Sequence, residues 1–129
     1  MYRIAVWAED ESKGRAYAER IARFCRARGV FPQVEWRLNP EERFSSQPTS
    51  VFLALPGVDG LNAAEQLRAL NPECGLVWCS DLNFSLHAFR LRADYFLLEP
   101  MTEEKWQEAL SVWFDLRSEK LKKRNENNH

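Results

Sequence analysis

The sequence is poor in most of the groups that announce a chemistry. Its only histidines are His87 and the terminal His129, which leaves no pair for a metal site and no phosphorelay histidine. Cys25, Cys74 and Cys79 are odd in number and not paired at metal-ligand spacing, so small core residues in a reduced, cytoplasmic compartment are expected. No apolar run approaches the ~20 residues of a membrane span, and no signal-peptide pattern precedes the first strand-like segment. With 18 Lys+Arg against 19 Asp+Glu, the net charge of −1 gives no global attraction for nucleic acid or membrane. Gly57 and Gly60 are too few for a phosphate cradle, and Ala8-Glu9-Asp10-Glu11 carries the wrong charge for a nucleotide or flavin. No Ser-His-Asp or Cys-His arrangement follows from spacing, so no enzyme is expected. Between Glu42 and Asp59 there is no carboxylate at all.

What is present is a regular alternation. The 129 residues are 45% apolar and 29% charged, enough for one domain with a real core. Ile4–Trp7, Val51–Leu55 and Leu76–Cys79 are short apolar runs that predict buried strands, and Asp94–Leu98, closed by Glu99-Pro100, predicts the fifth strand. Val34–Leu38 alternates apolar and polar residues and predicts a strand with one exposed face. Between them, Ala18, Ile21, Ala22 and Cys25 follow helical spacing, stopped by Gly29. Asn39–Phe44 has the composition of one or two helical turns, and Pro56–Gly60 that of a loop. Leu61–Leu70 and Asn83–Arg92 predict helices. A last helix opens at Thr102, with Trp106, Leu110, Trp113 and Leu121 on one face. Strand–helix alternation in about 120 residues implies a flavodoxin-like, doubly wound α/β fold. The expected sheet has five parallel strands in the order 2-1-3-4-5 between two helical layers. Function in such folds sits at the carboxyl ends of the strands.

Three segments in order resemble the receiver domain of two-component response regulators. Arg3–Asp10 is similar to the family's first strand with its acidic pair, and Pro56–Gly60 to the loop after its phosphoacceptor strand. Arg92–Pro100 resembles the Gly-Ala-Asp-Asp-Tyr-Leu-x-Lys-Pro run, and Ser85–Phe89 with Asp94-Tyr95 is closest to the subgroup carrying a LytTR-type DNA-binding domain. The resemblance implies an aspartate on strand 3, two acids holding Mg²⁺, a lysine on strand 5 and a hydroxyl on strand 4. Here Ala54 takes the phosphoacceptor position, Glu99 the lysine position and Cys79 the hydroxyl position, with Ser80 beside it. Glu9 and Asp10 remain as a vestigial acidic pocket; with Glu11 they are equally a residual cation site or an acidic first helical turn. Glu99 is expected to point to solvent.

The expectation is a degenerate, pseudo-receiver domain over 1–116 and a basic helical linker or tail over 117–129. It would serve phosphorelay signalling or transcription regulation through protein contacts, without phosphorylation and with at most weak Mg²⁺ binding. A protein partner or a second copy would use the face of the fourth helix, fifth strand and last helix, carrying Phe89, Arg92, Asp94, Tyr95, Trp106 and Trp113. Cys79, Glu99 and Tyr95 stand at the family's switch positions. Any nucleic acid would be bound by an output domain in a longer chain, not by this one. The alternatives are a receiver phosphorylated on a displaced carboxylate, Asp59 or Asp10, and a small-ligand sensor using the space left at Ala54.

Overall fold

The computed structural model describes residues 2–39, 42–43 and 47–127, with the side chains of 119–127 excepted. Its elements are β1 (Arg3–Ala8), α1 (Glu11–Arg26), β2 (Gln33–Arg37), β3 (Ser50–Ala54), α2 (Gly57–Leu70), β4 (Gly75–Ser80), α3 (Ser85–Arg90), β5 (Tyr95–Leu98) and α4 (Glu103–Asn127). All strand pairings are parallel, and the sheet order is β2-β1-β3-β4-β5. The expected flavodoxin-like topology is therefore present.

Because side chains alternate along a strand, the core divides into two halves. Ile4, Val6, Phe52 and Val77 face one side, where Ile21 and Phe24 of α1 and Trp106, Leu110 and Trp113 of α4 cover them. Trp7, Leu53, Leu76 and Trp78 face the other, under Ala64 and Leu67 of α2 and Ala88 of α3. Trp7 and Trp78 are fully buried, as strand tryptophans with cover on both faces should be.

Between β2 and β3 the described residues hold no α-helix, only a 3₁₀ turn at Glu42, whose N–H donates to the Asn39 carbonyl at 3.0 Å within the one or two turns expected at 39–44; positions 40, 41 and 44 lie outside the described residues. The register gives a reason. Val34 and Trp36 align with Ile4 and Val6 on the α1 face, so Gln33, Glu35 and Arg37 occupy the opposite face. That face is polar and internally paired, Arg37 with Glu35, and offers a helix no apolar surface to bury. Gly14 of α1 is fixed by the same strand: a Cβ there would lie 3.0 Å from the Cβ of Trp36.

Two boundaries differ from expectation. Pro56–Gly60 is not a loop, because α2 already starts at Gly57. Gly57 takes φ 56°, which glycine adopts without strain, and Gly60 lies so close to the Leu55 carbonyl that a Cβ would stand 2.4 Å from it. Turn-forming residues here begin a helix instead of separating it from the strand. The helix expected over 83–92 is only Ser85–Arg90.

Candidate functional site

The carboxyl ends of β1, β3, β4 and β5 meet at one end of the sheet. Ala8 pairs in register with Ala54, and both are completely buried, so two methyl groups form the floor where β1 and β3 end. Cys79 on β4 faces the same half of the core. Burial pushes its thiol pKa far up, and the neighbouring Glu99 adds to the effect, so the group is a neutral core thiol. Cys25 and Cys74 are likewise buried, each pushed up to about 11 by desolvation.

At the same end of the sheet, beside Cys79, stands an ion pair between elements distant in sequence. Lys13 of α1 places its Nζ 2.9 Å from the Glu99 carboxylate and 3.4 Å from Glu9. The Tyr17 hydroxyl donates to Glu99 Oε1 at 3.3 Å. The expectation that Glu99 points to solvent is thus corrected: a lysine one turn into α1 is within reach of β5, and a carboxylate already half-desolvated is stabilised by that cation. Desolvation alone would lower the Lys13 pKa; the hydrogen bond and charge of Glu99, helped by Glu9, outweigh it and raise it. Desolvation, then Cys79 and Glu99, drives the Tyr17 hydroxyl pKa well up, so Tyr17 donates at any ordinary pH.

The three acids that follow β1 have separate duties. Glu9 meets Lys13, Asp10 caps α1 by accepting the Lys13 backbone N–H at 2.8 Å, and Glu11 pairs with Arg15. Among the described residues no group of three His, Cys, Asp or Glu side chains is placed to share a metal ion.

Sequence reasoning missed Asp81. Pro56 gives α2 no side-chain cap, and Asp81, from the loop after β4, supplies one: its Oδ1 accepts the Gly57 N–H at 2.9 Å. The carboxylate pKa is held below the usual value chiefly by that bond. A carboxylate whose folded pKa is depressed contributes stability above its unfolded pKa and loses it as pH falls through the folded value. Asp81→Asn should therefore be less stable than the parent chain at neutral pH. The gap should close in acid, below pH about 4; denaturant titrations across pH check this, and a gap independent of pH would contradict it.

A second test addresses the ion pair. Removing Lys13 (Lys13→Met) leaves Glu99 without its cation, at a cost of about 1–3 kcal/mol. Glu99→Lys sets two ammonium groups together and should cost at least as much. The exchanged double variant, Lys13→Glu with Glu99→Lys, should recover part of the loss in a double-mutant cycle. Additive losses would show that the two groups do not interact.

The face expected to carry contacts divides. Phe89 is 81% exposed, and Leu86 of the same helix, Leu98 of β5 and Leu116 of α4 are exposed as well. Arg92 is exposed in a left-handed conformation, and Tyr95 is half-buried beside Glu108. Trp106 and Trp113 do not belong to this surface: they are 5% and 1% exposed, packed on the sheet with Leu110. Positions 106, 109, 110 and 113 form one helical stripe, and a stripe facing the sheet cannot also face a partner. Asp94 is corrected too, since its side chain is 4% exposed and locked to Arg117. Leu121 and the basic side chains of 120–124 lie outside the described residues.

No protein-family model and no curated protein matches the sequence. Solved structures do. The non-phosphorylated HemR receiver domain from Leptospira biflexa superposes with a TM-score of 0.68 at 22% identity, over 88% of this chain and 94% of its own. A CheY-like receiver domain protein from Methanospirillum hungatei JF-1 gives 0.66 at 15% identity, over 93% and 98%. The response regulator DrrB of Thermotoga maritima, an OmpR/PhoB homolog, gives 0.60 at 19% identity over 82% of this chain, which spans about half (49%) of DrrB. At such identities the likeness is one of fold, the CheY-like arrangement. No described helix is long and apolar enough to cross a membrane.

Proposed function

We propose that this chain is a pseudo-receiver domain, a signalling module that works through protein contacts and carries no phosphoryl group of its own. The observation that supports it best is the Lys13–Glu99 pair at the end of the sheet where β3 closes in the buried Ala54. In the family that the sequence resembles, an acceptor carboxylate on strand 3 faces a lysine on strand 5. Here strand 5 brings the carboxylate, α1 brings the ammonium, and β3 ends in a methyl group with no nucleophile. The ion pair takes the place of phosphate chemistry, and the carboxylates a divalent cation would need are already engaged, Glu9 by the Lys13 ammonium and Asp10 as the α1 cap. Weak Mg²⁺ binding through Glu9 and Asp10 is the most the site would support.

The contact surface we assign is the exposed apolar part of α3, β5 and the outer side of α4, centred on Phe89, for a protein partner or a second copy. In a longer chain, 117–129 would link it to a DNA-binding output domain, the LytTR type being the nearest in sequence, for transcription regulation in the cytoplasm.

Acetyl phosphate with Mg²⁺, followed by intact mass spectrometry, tests the first part. No phosphoryl adduct is expected. A stoichiometric adduct would overturn the reading, and peptide mapping would then place it. Asp59, exposed in the first turn of α2, and Asp10, engaged as the α1 cap, are the carboxylates to inspect first.

A further inference from the structure

We propose that the groove between α1 and β2 binds an extended acidic peptide segment, added to the sheet as a strand alongside β2. This inference does not depend on the state of the Ala54 site. The groove is open, with a volume of about 810 Å³. Its rim is one stripe of α1, where Arg15, Glu19, Arg23 and Arg26 recur at helical spacing, and its floor is Val34 and Trp36 of β2.

Charge selects the class of occupant. The stripe carries three arginines and one glutamate. Arg15 is satisfied by Glu11 and lies over the Trp36 ring, 5.7 Å from its centroid. Arg23 and Arg26 are exposed and form no ion pair among the described residues; Arg23 acts on Glu103 at longer range, and Arg26 offers its whole charge to an anionic partner.

Shape and backbone select the form. A concave surface is not complementary to itself, so a second copy seated groove to groove would leave it unfilled. Among the described residues β2 is the terminal strand of the sheet, and an edge strand presents backbone donors and acceptors to an extended chain; the Trp36 carbonyl, which accepts from Arg37 Nη1 at 3.3 Å, would exchange that bond for the ladder. In such a chain, alternate side chains would lie on the Trp36 side, beneath the arginines. Nucleic acid fits less well, because the groove has one aromatic floor residue instead of a stacking series, and Glu19 lies within the rim. Gly14 lets α1 pack closely against Trp36, since a Cβ there would lie 3.0 Å from the Trp36 Cβ.

The probe is a fluorescein-labelled peptide of alternating glutamate and valine, about eight residues long, titrated with the full chain by anisotropy. Saturable binding is expected, weakened as salt rises from about 50 mM to about 500 mM. Arg23→Glu with Arg26→Glu, both exposed and outside the core, should weaken it at least about tenfold. A peptide N-methylated at alternate residues should bind at least about tenfold more weakly, because it cannot complete a strand ladder. A lysine–valine peptide should not bind. The proposal is overturned by no saturable binding up to about 1 mM. It is equally overturned by undiminished binding to the double arginine variant or of the N-methylated peptide, or by a thymidine oligonucleotide that binds as tightly.

Discussion

Trp113→Ala is expected to cost about 3–5 kcal/mol of stability, the usual loss for an aromatic truncated in a packed core. For a chain of this length that lowers the melting temperature by at least about 10 °C. The indole is 1% exposed and meets the Phe52 ring edge-on, with centroids 5.1 Å apart. Its Nε1 donates to Ser50 Oγ at 2.9 Å, so truncation leaves a cavity and also a buried hydroxyl short of a partner. Ser50 has little room to adjust: it starts β3 directly beside Gly75, where a Cβ would lie 2.4 Å from Ser50 Oγ. Trp113→Phe, which keeps most of the volume and loses only the donor, should cost clearly less, about 1–2 kcal/mol. Phe89→Ala should stay within about 0.5 kcal/mol, because its ring already stands in water. Thermal and denaturant unfolding of the three variants checks the ranking. If Trp113→Ala leaves stability intact and alters only self-association, the tryptophan belongs to a surface after all.

Arg68→Ala should be nearly as damaging, at about 3 kcal/mol or more. Arg68 is only 9% exposed and forms no ion pair among the described residues. Its guanidinium donates to five backbone carbonyls, those of Leu91 (2.6 Å), Cys74 (2.7 Å), Arg92 (3.1 Å), Pro72 (3.2 Å) and Asn71 (3.4 Å). One side chain thereby joins the end of α2, the turn into β4 and the turn from α3 into β5. Burial lowers its pKa, but a guanidinium keeps its proton at all ordinary pH values. The planar fork is what the site requires, so Arg68→Lys should rescue only part of the loss. The turn it holds includes Arg92, a non-glycine residue at φ 56°, and hydrogen exchange should therefore rise at Arg92 and Ala93 before the rest of the sheet. Loss confined to global stability, with no local increase in exchange there, would show that Arg68 does not hold this turn.

The character of the strands is legible in the residues alone. Strands that are apolar on both sides must be central, and the alternation in Val34–Leu38 marks β2 as half exposed, which its edge position bears out. The empty carboxylate stretch before Asp59 was equally plain, and Ala54 stands at the end of β3 without needing any neighbour to explain it. These are local properties: a periodicity, or the presence of a residue type at a strand end. The tertiary structure alone decided which distant groups meet. Lys13 and Glu99 lie 86 positions apart, and Asp81 caps a helix that begins 24 positions earlier. No spacing rule links such residues, because their encounter depends on how the crossovers bring strand ends together. The tryptophans of α4 are the intermediate case. Their stripe was visible in the sequence, but whether it faced the sheet or a partner depended on which side of the helix the β4 and β5 core needed to cover, and the sheet took it.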